Sequence, residues 1–492
     1  MLPSKVSLSC FIRGVASFAG MMLRPLSVKT FLLWFAGGLA LRLLLSPLYG
    51  TQDVEWQKAW AKGMLQHGMT RVYGAPDAEI LGRIKDGQDR AAVRAATQTV
   101  LSFQPYRYFR TEYLVTYPPG YLYVLNGSAR VYGFVAPGLP NGRLFNVFIN
   151  LPSILAAAAL TLAIAAFAGS LLSPAAGYGI ALLYWLNPVA ILNSPIQGYQ
   201  DPLCALFAVL AVLAIFRRRV VWACVFLAAG MLVKPQAVLV APVVLGAGLL
   251  LQPALRNLWG WLAGALVALM VLSPWLLAGR GLSVLQGVLS VTDSSGDLSR
   301  QALNLWWPVQ YAWNAVEAVR GGLAGWDAFA GGAYGWYADV PAALLEPRLG
   351  FSPGALGLLL LAAFTGFNLY HLARRCRKDP LVIVEASALQ VYAYFILRAG
   401  VQGNHYYLLV PLLALACLRP GATLRFYGAV SLVFLLQDLI FYGFGRDFNF
   451  GKQVLSRLHL GWTTNVLALA NIVLFGMLCR HFYRRGRSAP AP

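Results

Sequence analysis

The sequence predicts an all-α polytopic membrane protein of about twelve transmembrane helices, with two long external loops that contain amphipathic helices. Three observations carry that prediction. Of 492 residues, 59% are hydrophobic and only 12% charged, too apolar for a soluble enzyme. Many stretches of roughly 18 to 22 residues are nearly free of charge, long enough to cross ~30 Å of hydrocarbon. The basic residues recur at alternate connections, the pattern that membrane insertion imposes on short loops.

The apolar segments fall at 31–50, 145–168, 174–192, 199–216, 220–233, 237–251, 258–278, 353–372, 381–397, 406–418, 426–444 and 463–479. Threading them puts Lys5, Arg13, Arg24 and Lys29 on one side with Arg217–Arg219, Arg256, Arg374, Arg375, Arg377, Lys378, Arg419, Arg425, Arg480, Arg484, Arg485 and Arg487. Asp379 is the acid on that side, so the positive-inside rule makes it cytoplasmic, with both termini there. The net charge of +21 thus follows topology and does not mark a nucleic-acid surface. Residues 117–136 are also apolar, but Asn126, Ser128 and Arg130 break the run. We read it as an amphipathic helix in the outer interface, because a crossing there would carry Arg217–Arg219 outside.

The organisation is then a basic interfacial segment over 1–29 and a transmembrane module over 30–280 with an external loop at 51–143. A second external loop at 281–352 and C-terminal helices with a basic tail over 353–492 complete it. The 1–29 segment has no small-residue cleavage site after its apolar run, so it is not a removed signal. Loops as long as 51–143 are usually functional. No glycine-rich nucleotide motif and no internal repeat occur. The six cysteines, Cys10, Cys204, Cys224, Cys376, Cys417 and Cys479, show no metal spacing and no external pair. No cofactor is expected.

The same threading gathers scattered polar residues on the external face. Asp53 and Glu55 follow the first span directly. A carboxylate at a low-dielectric boundary has a raised pKa and can take a hydroxyl proton; a solvated acidic pair at a helix start is the alternative. Tyr117 precedes Pro118 and Pro119, a turn-to-helix signal. Gln197, Gln200 and Asp201 lie before Pro202, where free N–H groups suit an anion and Asp201 also suits an N-cap. Lys234 and Gln236 flank Pro235 between two short spans. A lysine below the outer surface needs an anion or must snorkel. A phosphate supplied by a substrate would meet that need, and Lys234→Met would then relieve the empty protein of an uncompensated charge. Asn304 and Trp306 stand in the second loop, where aromatics stack on sugars or form an interfacial belt. Arg398 and His405 close the set, either clamping a phosphate or satisfying helix-end carbonyls.

The order Asp53-x-Glu55-x-Gln57-x-x-Trp60, Tyr117-Pro118-Pro119, Gly198-x-Gln200, Lys234 with Gln236, then His405 before a span with Pro411 resembles the GT-C class of membrane glycosyltransferases. Within it, the resemblance is to the dolichyl-phosphate-glucose-dependent glucosyltransferases of N-glycan assembly and their prokaryotic relatives, over about residues 30–415. The resemblance implies a GT-C-like fold, a polyprenyl-phosphate sugar donor entering from the membrane, and inversion at the anomeric carbon. It implies Asp53 as general base, Glu55 in support, and Lys234 at the donor phosphate. Two features depart from the pattern: Tyr406 stands where eukaryotic members tend to carry Glu, and residues 77–97 are an extra polar insertion.

The expected activity is transfer of one sugar to a hydroxyl of a lipid-linked or cell-envelope glycan on the external face. The expected partners are the donor, a glycan or glycolipid acceptor and membrane lipids. A Leu/Ala/Arg-rich composition points to a bacterial inner membrane. The rival readings are a lipid-linked glycan flippase, which has no need of a fixed carboxylate pair, and a GT-C ligase modifying protein or lipid A.

Overall fold

The computed structural model describes residues 26–73, 115–293, 298–320, 350–419, 421–448 and 460–485. The interfacial segment expected before residue 26 and the insertion at 77–97 lie outside them.

The architecture is helical throughout. The described residues hold no β-strand, only isolated bridges of Arg300 and Gln301 with Gln402. In chain order the helices are α1 Val28–Leu45, α2 Gln52–His67, α3 Pro119–Val135, α4 Arg143–Leu171, α5 Pro174–Trp185, α6 Pro188–Ile196 and α7 Asp201–Phe216. There follow α8 Val220–Val233, α9 Pro235–Leu251, α10 Ala254–Leu277, α11 Gly281–Asp293 and α12 Trp306–Arg320. The last are α13 Pro353–Arg375, α14 Leu381–Leu397, α15 Leu409–Ala416, α16 Ala422–Phe441 and α17 Leu460–Arg484.

By length and composition, α1, α4, α10, α13, α16 and α17 can each cross a membrane. This is an all-helical fold with several helices long and apolar enough to span a membrane. Helices α1, α10 and α13 bury only 17% of their apolar windows, so leucine and tryptophan faces such as Trp259, Trp261 and Leu266 are left for lipid. The shorter apolar helices sit inside. All of α14 from Val382 to Ala393 is buried, and so is every residue of α15. Lipid-facing helices must match the bilayer, but a segment sheathed in protein escapes that rule. This corrects the expected span at 406–418: it is a 3₁₀ turn, Gly403–Tyr406, followed by an eight-residue helix. The expected span at 174–192 is also broken, because α5 and α6 meet at 58°. Pro188 ends the α5 hydrogen-bond ladder. The Asn187 side chain then caps α6 through Val189 N–H at 2.9 Å, and is held by Tyr427 at 2.7 Å. The run at 117–136 forms α3, which buries Tyr121, Leu122, Leu125 and Tyr132 and is not among the helices able to cross.

Two ends of the bundle differ in chemistry. Arg217–Arg219, Arg256, Arg374–Lys378, Arg419 and Arg480–Arg485 mark one end. The starts of α2, α4 and α7, and the α8–α9 and α14–α15 junctions, meet at the other.

Candidate functional site

Several elements build the site at the second end. Helix α2 starts immediately after α1, and its first turn lies across the end of α6. Thr51 donates to the Gln197 carbonyl through N–H (3.1 Å) and Oγ1 (2.7 Å). The π-helical turn Leu192–Ile196 that ends α6 re-aims the carbonyls meeting α2. Gly198 adopts φ +78°, and an ideal Cβ there would fall 2.0 Å from Val54 Cγ2. Only glycine combines that backbone with that closeness.

The amide relay behind this contact is closed. Gln57 accepts from Tyr121 Oη and Gln200 Nε2, both at 2.9 Å, and donates to the Gly198 carbonyl at 3.1 Å. Ser153 Oγ completes Gln200. Buried polar groups so satisfied fix geometry more than they bind ligand. Gln200 is therefore part of the scaffold, and Gln57, one helical turn after Asp53, is its unassigned partner. Gln197 is fully buried with no side-chain hydrogen-bond partner among the described residues, near Asp438, whose carboxylate accepts from Tyr406 Oη.

Asp53 occupies the first turn of α2 and is half-buried. Among the described residues its carboxylate makes no hydrogen bond. Desolvation raises its pKa above the usual carboxylate value; the Lys234 charge opposes the rise and the Asp201 charge adds to it. Glu55 is the opposite case. Burial alone would raise its pKa, but Lys58 (2.6 Å) and Arg446 (2.5 Å) outweigh burial and hold it below normal. Glu55 Oε2 also accepts from Asn141 at 3.3 Å. One carboxylate of the pair is thus free of bonds and the other is saturated with them.

Lys234 is buried and ion-paired to Asp201. Asp201 accepts in addition from Asn193 (3.0 Å) and Asn404 (3.3 Å). The structure therefore corrects the expectation that Lys234 lacks an anion in the empty protein: the chain supplies one, from the start of α7. The ammonium lies 5.7 Å from the Tyr117 ring centroid and 6.0 Å from that of Tyr199. Trp60, Tyr117 and Tyr121 form a run of rings with centroids 5.6 and 5.1 Å apart. Gln236 is half-buried, one residue past Pro235.

The α14–α15 junction gives a mixed result. His405 Nδ1 is 3.4 Å from Tyr394 Oη, and its ring stacks on that tyrosine. Desolvation first, then the Lys234 and Arg300 charges, push its pKa down to about 3. Burial and the neighbouring cations thus disfavour its charged form. Arg398 donates to the Gly354 carbonyl at 3.4 Å. Asn304 caps α12 through Trp306 N–H (3.0 Å) and donates to the Arg398 carbonyl (3.3 Å), while Trp306 Nε1 donates to the Leu397 carbonyl (2.8 Å). Both residues are committed to tying the start of α12 to the end of α14.

Sequence reasoning passed over Asp438, Lys58, Asn404 and Arg446. A lone acid within the apolar run at 426–444 was the available signal for Asp438. The others act through partners distant in sequence. Among the described residues, no three His, Cys, Asp or Glu side chains group closely enough to hold a metal ion.

The comparisons fit this arrangement. Residues 118–277, from α3 through α10, match the family model described as dolichyl-phosphate-mannose-protein mannosyltransferase. The match supports a GT-C type glycosyltransferase that depends on a polyprenyl-phosphate sugar. It spans Gln197, Gln200, Asp201, Lys234 and Gln236 and stops short of Asp53, and its description names a mannosyl donor, where the order of motifs resembles glucosyl enzymes. A search of curated proteins finds no match.

Proposed function

We propose that the protein is an inverting glycosyltransferase that moves one sugar from a polyprenyl-phosphate donor to a hydroxyl of a lipid-linked or cell-envelope glycan. The reaction takes place at the membrane face opposite the arginine-rich end, which is the periplasmic face if the membrane is a bacterial inner membrane. The observation that carries the reading is the unbonded Asp53 carboxylate beside the Lys234–Asp201 pair.

Asp53 takes the proton of the acceptor hydroxyl. The hydroxyl oxygen bonds to the anomeric carbon as the bond from that carbon to the phosphate oxygen breaks, and polyprenyl phosphate departs with one more negative charge. An ammonium has three donors, so Lys234 can keep Asp201 and still meet that charge in a low-dielectric setting. Arg398 lies nearby as a second cation, and neutral His405 serves as an N–H donor. Tyr117 with Tyr199 walls the site, and Gln197, Gln200 and Gln236 shape it. Asn304 and Trp306 hold the covering loop in place. Glu55 keeps α2 in position.

The test is release of polyprenyl phosphate from labelled polyprenyl-phosphate mannose and glucose, with a lipid extract of the source membrane as acceptor. Asp53→Asn should keep donor binding and lower kcat by ~10²–10⁴-fold, the range for losing a placed acid–base group. Near-normal turnover in that variant would sink the assignment.

A further inference from the structure

The first turn of α2 is gripped from a distant part of the chain. After α16 the backbone turns through Gly443 and Gly445 and lays residues 445–447 against the α1–α2 turn. Gly445 (φ +68°) faces Gly50 (φ +67°) so closely that an ideal Cβ on Gly445 would lie 2.3 Å from the Gly50 carbonyl oxygen. Arg446 N–H donates to that same oxygen at 2.7 Å. Asp447 accepts from Tyr49 N–H at 2.6 Å. The Arg446 guanidinium then reaches past the turn to Glu55 at 2.5 Å. Glu55 is locked from its other side by Lys58, itself fully buried and bonded to Asn141 at 2.6 Å.

Asp53 stands between these two grips. Gly50 precedes it by three residues and Glu55 follows it by two, and one residue, Arg446, holds both. Asp53 itself has no hydrogen bond among the described residues, so its aim depends on the turn that carries it. An error of 1 Å in such a group can cost about 10²-fold in rate.

We propose that Arg446 is the positioning residue for Asp53: it clasps the α1–α2 turn through its backbone and the first turn of α2 through Glu55, and so fixes the direction in which the base points. The proposal rests on Asp53 being the base. Arg446 touches neither donor nor acceptor and acts only through α2.

The experiment compares Arg446→Gln and Arg446→Lys, alone and on the Asp53→Asn background, in full-length protein in detergent. Labelled polyprenyl-phosphate mannose and glucose are the donor probes, and each variant's thermal midpoint is recorded alongside. Arg446→Gln should lower kcat by about 10- to 10²-fold with donor affinity within about twofold of the parent. Arg446→Lys should recover most of the loss, because an ammonium can still reach Glu55. On the Asp53→Asn background, Arg446→Gln should cost nothing further, since a clasp cannot aim a base that is gone. Glu55→Gln, which keeps the backbone grip, covers the case in which Arg446→Gln fails to fold, and should lower kcat in the same direction without a loss of donor affinity. A kcat within twofold in both Arg446→Gln and Glu55→Gln, a loss confined to donor affinity, or an equal further loss on Asp53→Asn each overturns the clasp. Normal turnover in Asp53→Asn removes the base assignment and the purpose of the clasp with it. A dead Asp53→Asn beside an unaffected Arg446→Gln removes the clasp alone.

Discussion

The two ends of this bundle each bury carboxylates, and they treat them differently. At the arginine-rich end, Asp379 pairs with Arg375 and Arg419, and Glu385 lies 3.4 Å from Arg419 and 3.8 Å from Arg485. These ions tie α13, α14 and α17 to the α15–α16 link. Among the described residues, each of these two carboxylates has a cation. At the other end the partners are dealt unequally. Asp201 takes Lys234 and two asparagines, Glu55 takes Lys58, Arg446 and Asn141, and Asp53 takes none among the described residues. The contrast separates charge used as a fastener from a charge that no neighbour engages. Burial alone does not distinguish them; the count of partners does.

Three measurements would break or sharpen the contrast. The largest effect is expected at the Lys234–Asp201 pair. Lys234→Met should cost about 3–5 kcal/mol of stability, because it strands a buried carboxylate, and should also weaken donor binding. Adding Asp201→Leu should restore much of the stability and none of the donor binding. A single Lys234→Met that melts at the parental temperature would mean that the pair is no fastener at all.

The second concerns protons. Asp53 has a folded pKa raised first by desolvation, with Lys234 opposing and Asp201 adding. A raised folded pKa stabilises the fold below the unfolded value and loses that contribution as pH rises through the folded one. Asp53→Asn should therefore be more stable than the parent at alkaline pH, with the advantage shrinking toward acid. In the parent, kcat/KM should fall as pH drops through the same raised value, and Lys234→Met should move that limb to higher pH. A limb at the ordinary carboxylate pKa would contradict the environment described for Asp53.

The smallest effect belongs to the fastening end. Glu385→Gln should lower the thermal midpoint by the equivalent of about 1–3 kcal/mol and leave kcat and donor affinity unchanged. Any sizeable change in kcat would show that the two ends are coupled.

Much of the scaffold was legible in the sequence, because hydrophobic length and charge placement act locally. Helices α8 and α14 run as expected, from Val220 to Val233 and from Leu381 to Leu397. The sequence also brought Asp53, Asp201, Lys234 and His405 to one end. What it could not provide was pairing. Asp201 meets Asn404 and Glu55 meets Arg446 only because of which helices become neighbours, and no spacing rule encodes that. The same blindness made Lys234 look uncompensated. The break at Asn187–Pro188 was visible in residue type, but the long apolar run around it masked the bend.

That bend explains Arg42. This residue lies in the last turn of α1, fully buried, with no acidic partner among the described residues. Its guanidinium stacks 3.7 Å above the Trp185 ring and donates to the Trp185 carbonyl (2.7 Å) and the Gly38 carbonyl (3.2 Å). The interruption of α5 leaves carbonyls that a continuous helix would have used, and a cation at a helix C-terminus answers them. The consequence concerns the order of assembly. As α1 enters the membrane, α5 has not yet been synthesised, and an arginine with nothing to bond must reach toward the headgroups. It can be drawn inward only when Trp185 comes to lie beside it. Helix α1 is thus seated at its final depth by α5, and the start of α2, which carries Asp53, cannot settle before then.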